Sequence, residues 1–223
     1  MLAFFFTLFF AVLAVAGKSQ GFIHRGVELP DGYTESEVIW TGFEHFLDDS
    51  DKLPSANAKA LTGLSFNGTV QSVMSQLETL GYSTKKFNQT TFDEAEFNAT
   101  LSDDDVTGVS KDRFHNCDVG GDKDAKAEDI IDGGEYLVGL GDDVMCSNAP
   151  HTCGRISCSW DAAIWYCNDQ DIYLPERCNR LGRLSWEGVR LCRHGWRWRW
   201  VRGEIGELGL KYRVIFGHSP IHC

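Results

Sequence analysis

No cysteine precedes Cys117 in this 223-residue chain, and no two cysteines have the Cys-x-x-Cys spacing. The spacings fit no zinc ribbon or finger, which excludes those structural metal sites. A P-loop, His-Glu-x-x-His and Gly-x-Gly-x-x-Gly are also missing, so the common signatures of nucleotide-binding proteins and zinc peptidases are absent. We therefore expect no metal or cofactor, and a function in binding rather than catalysis.

Basic residues are scarce in the first two thirds of the chain. Residues 1–150 carry 10 basic and 25 acidic side chains, whereas residues 151–223 carry 11 and 7. A nucleic-acid-binding protein is usually basic, so the overall net charge of -11 argues against a nucleic acid as obligate partner. The acidity lies in the first zone, however, and a polyanionic partner for the second zone is not excluded.

Long apolar runs are confined to Leu2–Ala16. This run is too short to span a bilayer, and Ala14-Val15-Ala16 has the small-x-small pattern of a signal-peptidase site. We predict a signal peptide over 1–16, no transmembrane segment, and secretion to the extracellular space.

An even number of cysteines in a secreted chain predicts disulfides. All eight are expected to pair: Cys117, Cys146, Cys153, Cys158, Cys167, Cys178, Cys192 and Cys223. Three sequons, at Asn67, Asn88 and Asn98, predict N-glycosylation. Because all three precede the first cysteine, residues 17–112 are interpreted as an acidic, glycosylated N-terminal region, with 87–112 as a linker or exposed flap.

One helix is predicted in the N-terminal region. Apolar residues recur at helical spacing from Val70 to Leu80, and Gly81 follows as a candidate C-cap.

Residues 113–223 are predicted to form a cysteine-rich α/β core. Strand and helix patterns alternate from Arg113 in the order strand, helix, strand, strand, helix, strand, strand, with the second helix starting at Pro175. This order is close to a split βαββαβ unit, so the fold class is α+β, a disulfide-stapled α/β sandwich. Residues 142–153 are predicted to be a loop.

The disulfide partners of the second helix can be narrowed by its geometry. Cys178 and Cys192 fall on its inner face, four turns apart, so they should bond not to each other but to cysteines on or beside the preceding hairpin, such as Cys158 and Cys167. A two-residue period places one apolar, buried set on that hairpin. The set is Ile156, Cys158, Trp160, Ala163, Trp165 and Cys167.

Tryptophan and arginine alternate from Trp196 to Arg202. In a strand, one face would carry Arg, which suits phosphate or sulfate, and the other Trp, which suits sugars or bases. The candidate binding residues are Arg197, Arg199, Trp198 and Trp200, and the candidate ligand is an anionic polymer or glycan. Alternatively, the tryptophans are core and the arginines are either a solvated face or a contact for the acidic N-terminal region.

The histidines suggest two weaker alternatives, a ribonuclease active site and a metal site. A secreted ribonuclease needs a paired acid and base with an Arg clamp, and the sequence contains such residue types without a spacing that unites them. These residues are His115, His194, Glu204 and Arg197. His218 and His222 could bind a metal only if aligned, and Pro220 disfavours a helix there.

The segment Cys153-Gly-Arg-Ile-Ser-Cys158, with Ala163-Ile-Trp-Tyr-Cys-Asn-Asp169 after it, resembles a signature of fungal secreted cysteine-rich proteins. The flanking Glu128–Leu137 and Gly68–Val73 are similar to helices of that family. The resemblance implies an effector-like protein without a defined enzymatic activity, and the element order is similar to the core of fungal killer toxins. We therefore expect binding to a host or competitor target. The alternatives are a small extracellular hydrolase, acting on nucleic acid or glycan, and a cell-wall glycan-binding protein.

Overall fold

The structure is a computed structural model that describes residues 26–44, 63–82, 84, 113–121, 123–195, 198–209, 211–219, 221 and 223. The predicted signal peptide, the sequons at Asn88 and Asn98, the whole of the predicted linker, and Trp196 and Arg197 lie outside these residues. Within them the fold is mixed α+β, as predicted, with three helices and several sheets.

The helices are α1 (Val70–Thr79), α2 (Ala127–Val138) and α3 (Cys178–Cys192). The strands are β1 (Thr34–Ser36), β2 (Ile39–Thr41), β3 (Phe66–Asn67), β4 (Arg113–Asn116), β5 (Ala125–Lys126), β6 (Met145–Asn148), β7 (Thr152–Ser159), β8 (Ala162–Asn168), β9 (Leu174–Arg177), β10 (Trp200–Val201), β11 (Gly203–Glu207) and β12 (Tyr212–His218).

The largest sheet has the strand order β1-β7-β8-β12-β11-β4. Its long central strands β8 and β12 are buried because apolar layers cover both faces. On the helix face, Tyr166 and Val214 share a core with Ile130 of α2 and Val189 of α3. On the back face, a smaller apolar cluster includes Val27 from the N-terminal region.

Segments of the acidic N-terminal region supply strands to two sheets. β1 pairs in parallel with β7, and β2 pairs with β6 and β3 in a second sheet of order β3-β2-β6-β9. Trp40 on β2 is fully buried, and its indole Nε1 donates a hydrogen bond to the carbonyl of Gly68 at 2.7 Å. Residues 26–44 and 63–82 thus pack directly against the cysteine-rich half.

All eight cysteines form disulfides, as the even count predicts. The pairs are Cys117–Cys192, Cys146–Cys178, Cys153–Cys167 and Cys158–Cys223. Both cysteines of α3 lie on its buried face and do not bond to each other, as expected. The proposed partners Cys158 and Cys167 were wrong, because Cys167 stands directly opposite Cys153 across the hairpin. That close pairing leaves α3 to bond to β6 at one end and to the residue after β4 at the other.

The β7–β8 hairpin corrects the predicted buried face. A bulge between Arg155 and Ser157 shifts the register, so Ile156 faces the helices while Cys158 and Cys167 lie in the back cluster. Trp160 lies in the hairpin turn with φ of 53° and is 85% exposed. A simple two-residue period cannot anticipate a bulge, and it no longer applies once the chain turns.

The loop predicted over 142–153 contains β6, and α3 begins later than predicted. Pro175 belongs to β9, an edge strand where a missing N–H is tolerated, and the helix starts at Cys178. Close packing explains the glycine at position 182 of α3, because a Cβ there would lie 2.8 Å from the carbonyl oxygen of Gly134 on α2. The glycines that weaken α3 as an isolated helix allow it to approach its neighbour closely.

Candidate functional site: the Trp–Arg loop

Residues 194–200, between α3 and β10, are called here the Trp–Arg loop. Its base is closed by two backbone hydrogen bonds between His194 and Trp200, of 2.8 and 3.2 Å. Gly195 and Trp198 have φ of 78° and 55°, so the chain turns sharply within the loop. The alternation predicts an extended strand over 196–201, but of the described residues in that range only Trp200 and Val201 are in strand, and β11 follows them.

Those side chains of the loop that the structure describes face solvent. Trp198 is 64% exposed and Trp200 is 43% exposed, and Arg199 between them is also exposed. The alternative in which these tryptophans form core is therefore wrong for both residues. Alternation sorts side chains onto two faces only when the backbone is extended, and the positive φ of Trp198 removes that condition.

The loop is fixed to the body of the protein at both ends. The disulfide from Cys192 to Cys117 holds its start, and the carbonyl of Arg199 accepts a hydrogen bond of 2.8 Å from the backbone N–H of Ala127. Its tryptophans are thus exposed on a segment whose position is determined by the fold.

Asp124 links the base of the loop to β11. Its Oδ2 lies 3.1 Å from Nε2 of His194, and its Oδ1 lies 3.4 Å from Nε of Arg202. The other ring nitrogen of His194 lies 3.1 Å from the carbonyl of Cys192. Asp124 does not cap α2, whose N-cap residue is Lys126, without a side-chain hydrogen bond.

Further exposed apolar side chains lie at the same end of the large sheet. The register pairs Ala162, next to the β7–β8 turn, with His218, and pairs Gly203, just after the loop, with Phe216. Trp160 in that turn and Ile221 near the C-terminus are 85% and 45% exposed. Because three of these four side chains are tryptophans, we call Trp160, Trp198, Trp200 and Ile221 the aromatic end of the protein.

Arg199 is the cation available at this end. The nearby Asp124 already contacts His194 and Arg202, and among the described residues no carboxylate lies within ion-pair distance of the Arg199 guanidinium. Its planar group can therefore donate two parallel hydrogen bonds to an external phosphate, sulfate or carboxylate.

A group of five charged side chains, called here the ion-pair cluster, was not predicted from the sequence. It joins α3 and β9 to β4 and β11 on the helix face, and it consists of Arg113, Arg180, Glu176, Glu187 and Glu207. The shortest contacts are 2.6 Å between Arg180 and Glu207 and 2.7 Å between Arg113 and Glu187. Each carboxylate is at most 13% exposed and is paired with a guanidinium, so the cluster is assigned to joining these elements.

Two tyrosines lie beside the ion-pair cluster on the helix face. Burial raises the pKa of Tyr166 and of Tyr212, and the charge of Glu176 raises both further. The hydroxyl of Tyr166 donates to the carbonyl of Leu174, while the buried hydroxyl of Tyr212 has no hydrogen-bond partner within the described residues. Both phenols therefore stay protonated in the folded protein well above the pH at which an exposed tyrosine ionises.

Tyr33 on the back face should titrate at an unusually high pH. Its hydroxyl donates to Asp169 at 2.7 Å, and burial together with that carboxylate raises the pKa of Tyr33 to about 12. An unfolded tyrosine ionises near pH 10, so between about pH 10 and 12 the unfolded chain loses a proton that the folded protein retains, and stability falls as pH rises. Subtracting the absorbance titration of Tyr33→Phe from that of the wild type should give a phenolate midpoint near pH 12. A midpoint near pH 10 would contradict the buried hydrogen bond.

The residues considered for a ribonuclease are not brought together where they are described. His194 contacts Asp124, whereas Glu204 pairs with Arg213 at 3.2 Å on the back face. His115 occupies the adjacent register position, opposite Ile205, where side chains point to the other face. His218 is buried at the end of β12. Among the described residues no group of three or more His, Cys, Asp or Glu is arranged to hold a metal ion.

The first sequon is accessible. Asn67 is exposed on β3, the edge strand of the second sheet. The hydroxyl of Thr69, the third sequon residue, caps α1 by accepting a hydrogen bond of 3.4 Å from the backbone N–H of Ser72. A glycan on Asn67 would therefore extend from a sheet edge into solvent.

Comparison of the chain with protein-family models, with curated proteins and with solved structures finds no match. In the described residues, no helix is long and apolar enough to cross a bilayer. The site is therefore interpreted from its own geometry.

Proposed function

We propose that this chain is a secreted, glycosylated, effector- or toxin-like protein that binds a target outside the producing cell, and that the Trp–Arg loop contacts the target. In this proposal the protein is a disulfide-stapled α/β sandwich related in design to killer-toxin cores, and the target belongs to a host or a competitor. Its four disulfides suit an oxidising extracellular environment.

The exposure of Trp198 and Trp200 beside Arg199, which has no ion-pair partner among the described residues, is the observation that carries the proposal. Tryptophan and arginine are the side chains most enriched at binding hot spots. Two exposed indoles on one anchored loop leave apolar surface in water, and burying it against a partner is favourable.

A loop variant tests the proposal directly. Trp198→Asn with Trp200→Ala should reduce binding of the labelled, purified protein to intact host or competitor cells at least tenfold, because the variant removes both exposed indoles. Asn is chosen at position 198 because it tolerates the positive φ found there. Binding can be measured by flow cytometry.

The matched control is Ile172→Ala with Tyr173→Ala. These side chains are 63% and 59% exposed on the β8–β9 connection, near the opposite end of β8 from the turn that holds Trp160. The control should bind as the wild type does. If the loop variant binds normally, the Trp–Arg loop is not the contact surface. Deletion of the gene with unchanged infection would count against an effector role.

A further inference from the structure

The aromatic end is built from three separate turns or ends of chain. Trp160 occupies the β7–β8 turn, Trp198 and Trp200 belong to the Trp–Arg loop, and Ile221 lies in the C-terminal segment. Ser219 donates a backbone hydrogen bond of 2.7 Å to the carbonyl of Asp161, which ties that last segment to the turn. The segments that carry these four exposed apolar side chains therefore lie toward one end of the large sheet.

The most exposed of these side chains, Trp160, lies on a tight turn. Trp160 and Asp161 both have positive φ, of 53° and 62°, which is the geometry of a tight two-residue hairpin turn. Sites for small molecules and short glycans are typically concave and enclose their ligand. A turn that carries an indole with 85% exposure is instead suited to insert into a deformable surface such as a lipid layer.

The chemistry of the aromatic end matches the interfacial region of a phospholipid bilayer. An indole is an apolar ring with one N–H donor, and tryptophan is enriched where hydrocarbon meets headgroups. Ile221 offers a sugar no stacking face, but it can partition into the hydrocarbon boundary. The guanidinium of Arg199, which forms no ion pair with any residue that the structure describes, can hydrogen-bond to a lipid phosphate.

We propose that the aromatic end docks this protein onto the surface of a phospholipid bilayer, with Trp160 and Trp198 at the headgroup–hydrocarbon boundary and Arg199 on a lipid phosphate. The inference rests on the proposed function and names the class of target. It involves Trp160 and Ile221, which the Trp–Arg loop alone does not include.

The experiment uses the full secreted chain and vesicles of phosphatidylcholine, with and without phosphatidylglycerol. Partition coefficients are measured by co-sedimentation, and indole depth by quenching with brominated lipid. Trp160→Asn and Trp198→Asn should each lower the partition coefficient about tenfold on both vesicle types. Arg199→Gln should lower it on both vesicle types, since both lipids carry a phosphate, and most strongly, about fivefold, on the vesicles that contain anionic lipid.

The control Ile172→Ala with Tyr173→Ala should partition as the wild type does. Each variant is first shown to keep four disulfides and an unchanged unfolding midpoint, so that a loss of binding reports on the surface. Unchanged partitioning of the Trp160 and Trp198 variants would overturn the inference.

Cell binding separates this inference from the proposed function. If the wild-type protein does not bind vesicles but its binding to cells still depends on Trp198 and Trp200, the bilayer proposal is overturned. The proposal that the Trp–Arg loop contacts the target then remains. If binding to a purified cell-wall glycan shows the same dependence, the target is a glycan and not a lipid. If neither vesicles nor cells are bound through the loop, both proposals fail.

Discussion

Replacing Cys117 and Cys192 with serine is expected to lower the free energy of unfolding by about 4 kcal/mol. The cross-link joins residues 75 positions apart and ties the end of β4 to the end of α3, so its loss restores much conformational freedom to the unfolded chain. Urea unfolding with the other disulfides intact measures the change.

A second disulfide provides the comparison. Cys153 and Cys167 are 14 positions apart, and replacing both with serine is expected to cost about 3 kcal/mol by the same chain-entropy account. Both variants should unfold in one transition. A larger loss for the shorter loop would show that packing, and not loop closure, determines the contribution of these bonds.

Trp40→Ala is expected to cost about 3–5 kcal/mol. The indole is fully buried between the second sheet and α1, and its removal leaves a cavity and an unsatisfied carbonyl at Gly68. Because β2 pairs with β6 of the cysteine-rich half, the unfolding midpoint of the whole protein should fall. Differential scanning calorimetry measures this effect.

Trp160→Ala is the matched control, since it makes the same substitution where the indole is 85% exposed. It should change the free energy of unfolding by no more than about 0.5 kcal/mol. Two resolved transitions in the Trp40→Ala protein, with only one of them shifted, would contradict a single cooperative unit that includes the N-terminal strands.

The periodicity of apolar residues predicted those helices and strands whose signal lies within a short stretch of sequence. The helix over Val70–Thr79 was correctly identified because its apolar residues recur every three or four positions, and only Leu80, at the C-cap, departs by being 52% exposed. The first strand, the helix, the hairpin and the second helix predicted from Arg113 are also present, but the short strands β5, β6 and β9 lie between them and were not predicted. In each case the signal lies within one element.

The Trp–Arg run shows where such reasoning fails. Alternation from Trp196 to Arg202 is compatible with a strand, but the backbone hydrogen bonds between His194 and Trp200 close a loop instead. Gly195 was the local signal, because glycine readily adopts the positive φ that such a turn requires. The exposed tryptophans follow from tertiary structure, which a pattern of residue types does not contain.

The ion-pair cluster and the disulfides depend on distant parts of the chain. Arg113 and Glu187 are 74 positions apart, and no spacing rule links them. Likewise, the geometry of α3 correctly excluded a Cys178–Cys192 bond but could not choose among the remaining cysteines. Contacts of this kind are determined by the order of strands in the sheet, which a single sequence does not reveal.

The parallel pairing of β1 with β7 has a consequence for synthesis. Ser36 hydrogen-bonds to Thr152, 116 positions later in the chain. At about 5–20 residues per second, β1 leaves the ribosome roughly 6–23 s before its partner. During that interval an unpaired strand edge is available to other chains. We therefore expect the yield of native protein to depend on chaperones that shield nascent chains, and to fall when translation is slowed between codons 36 and 152.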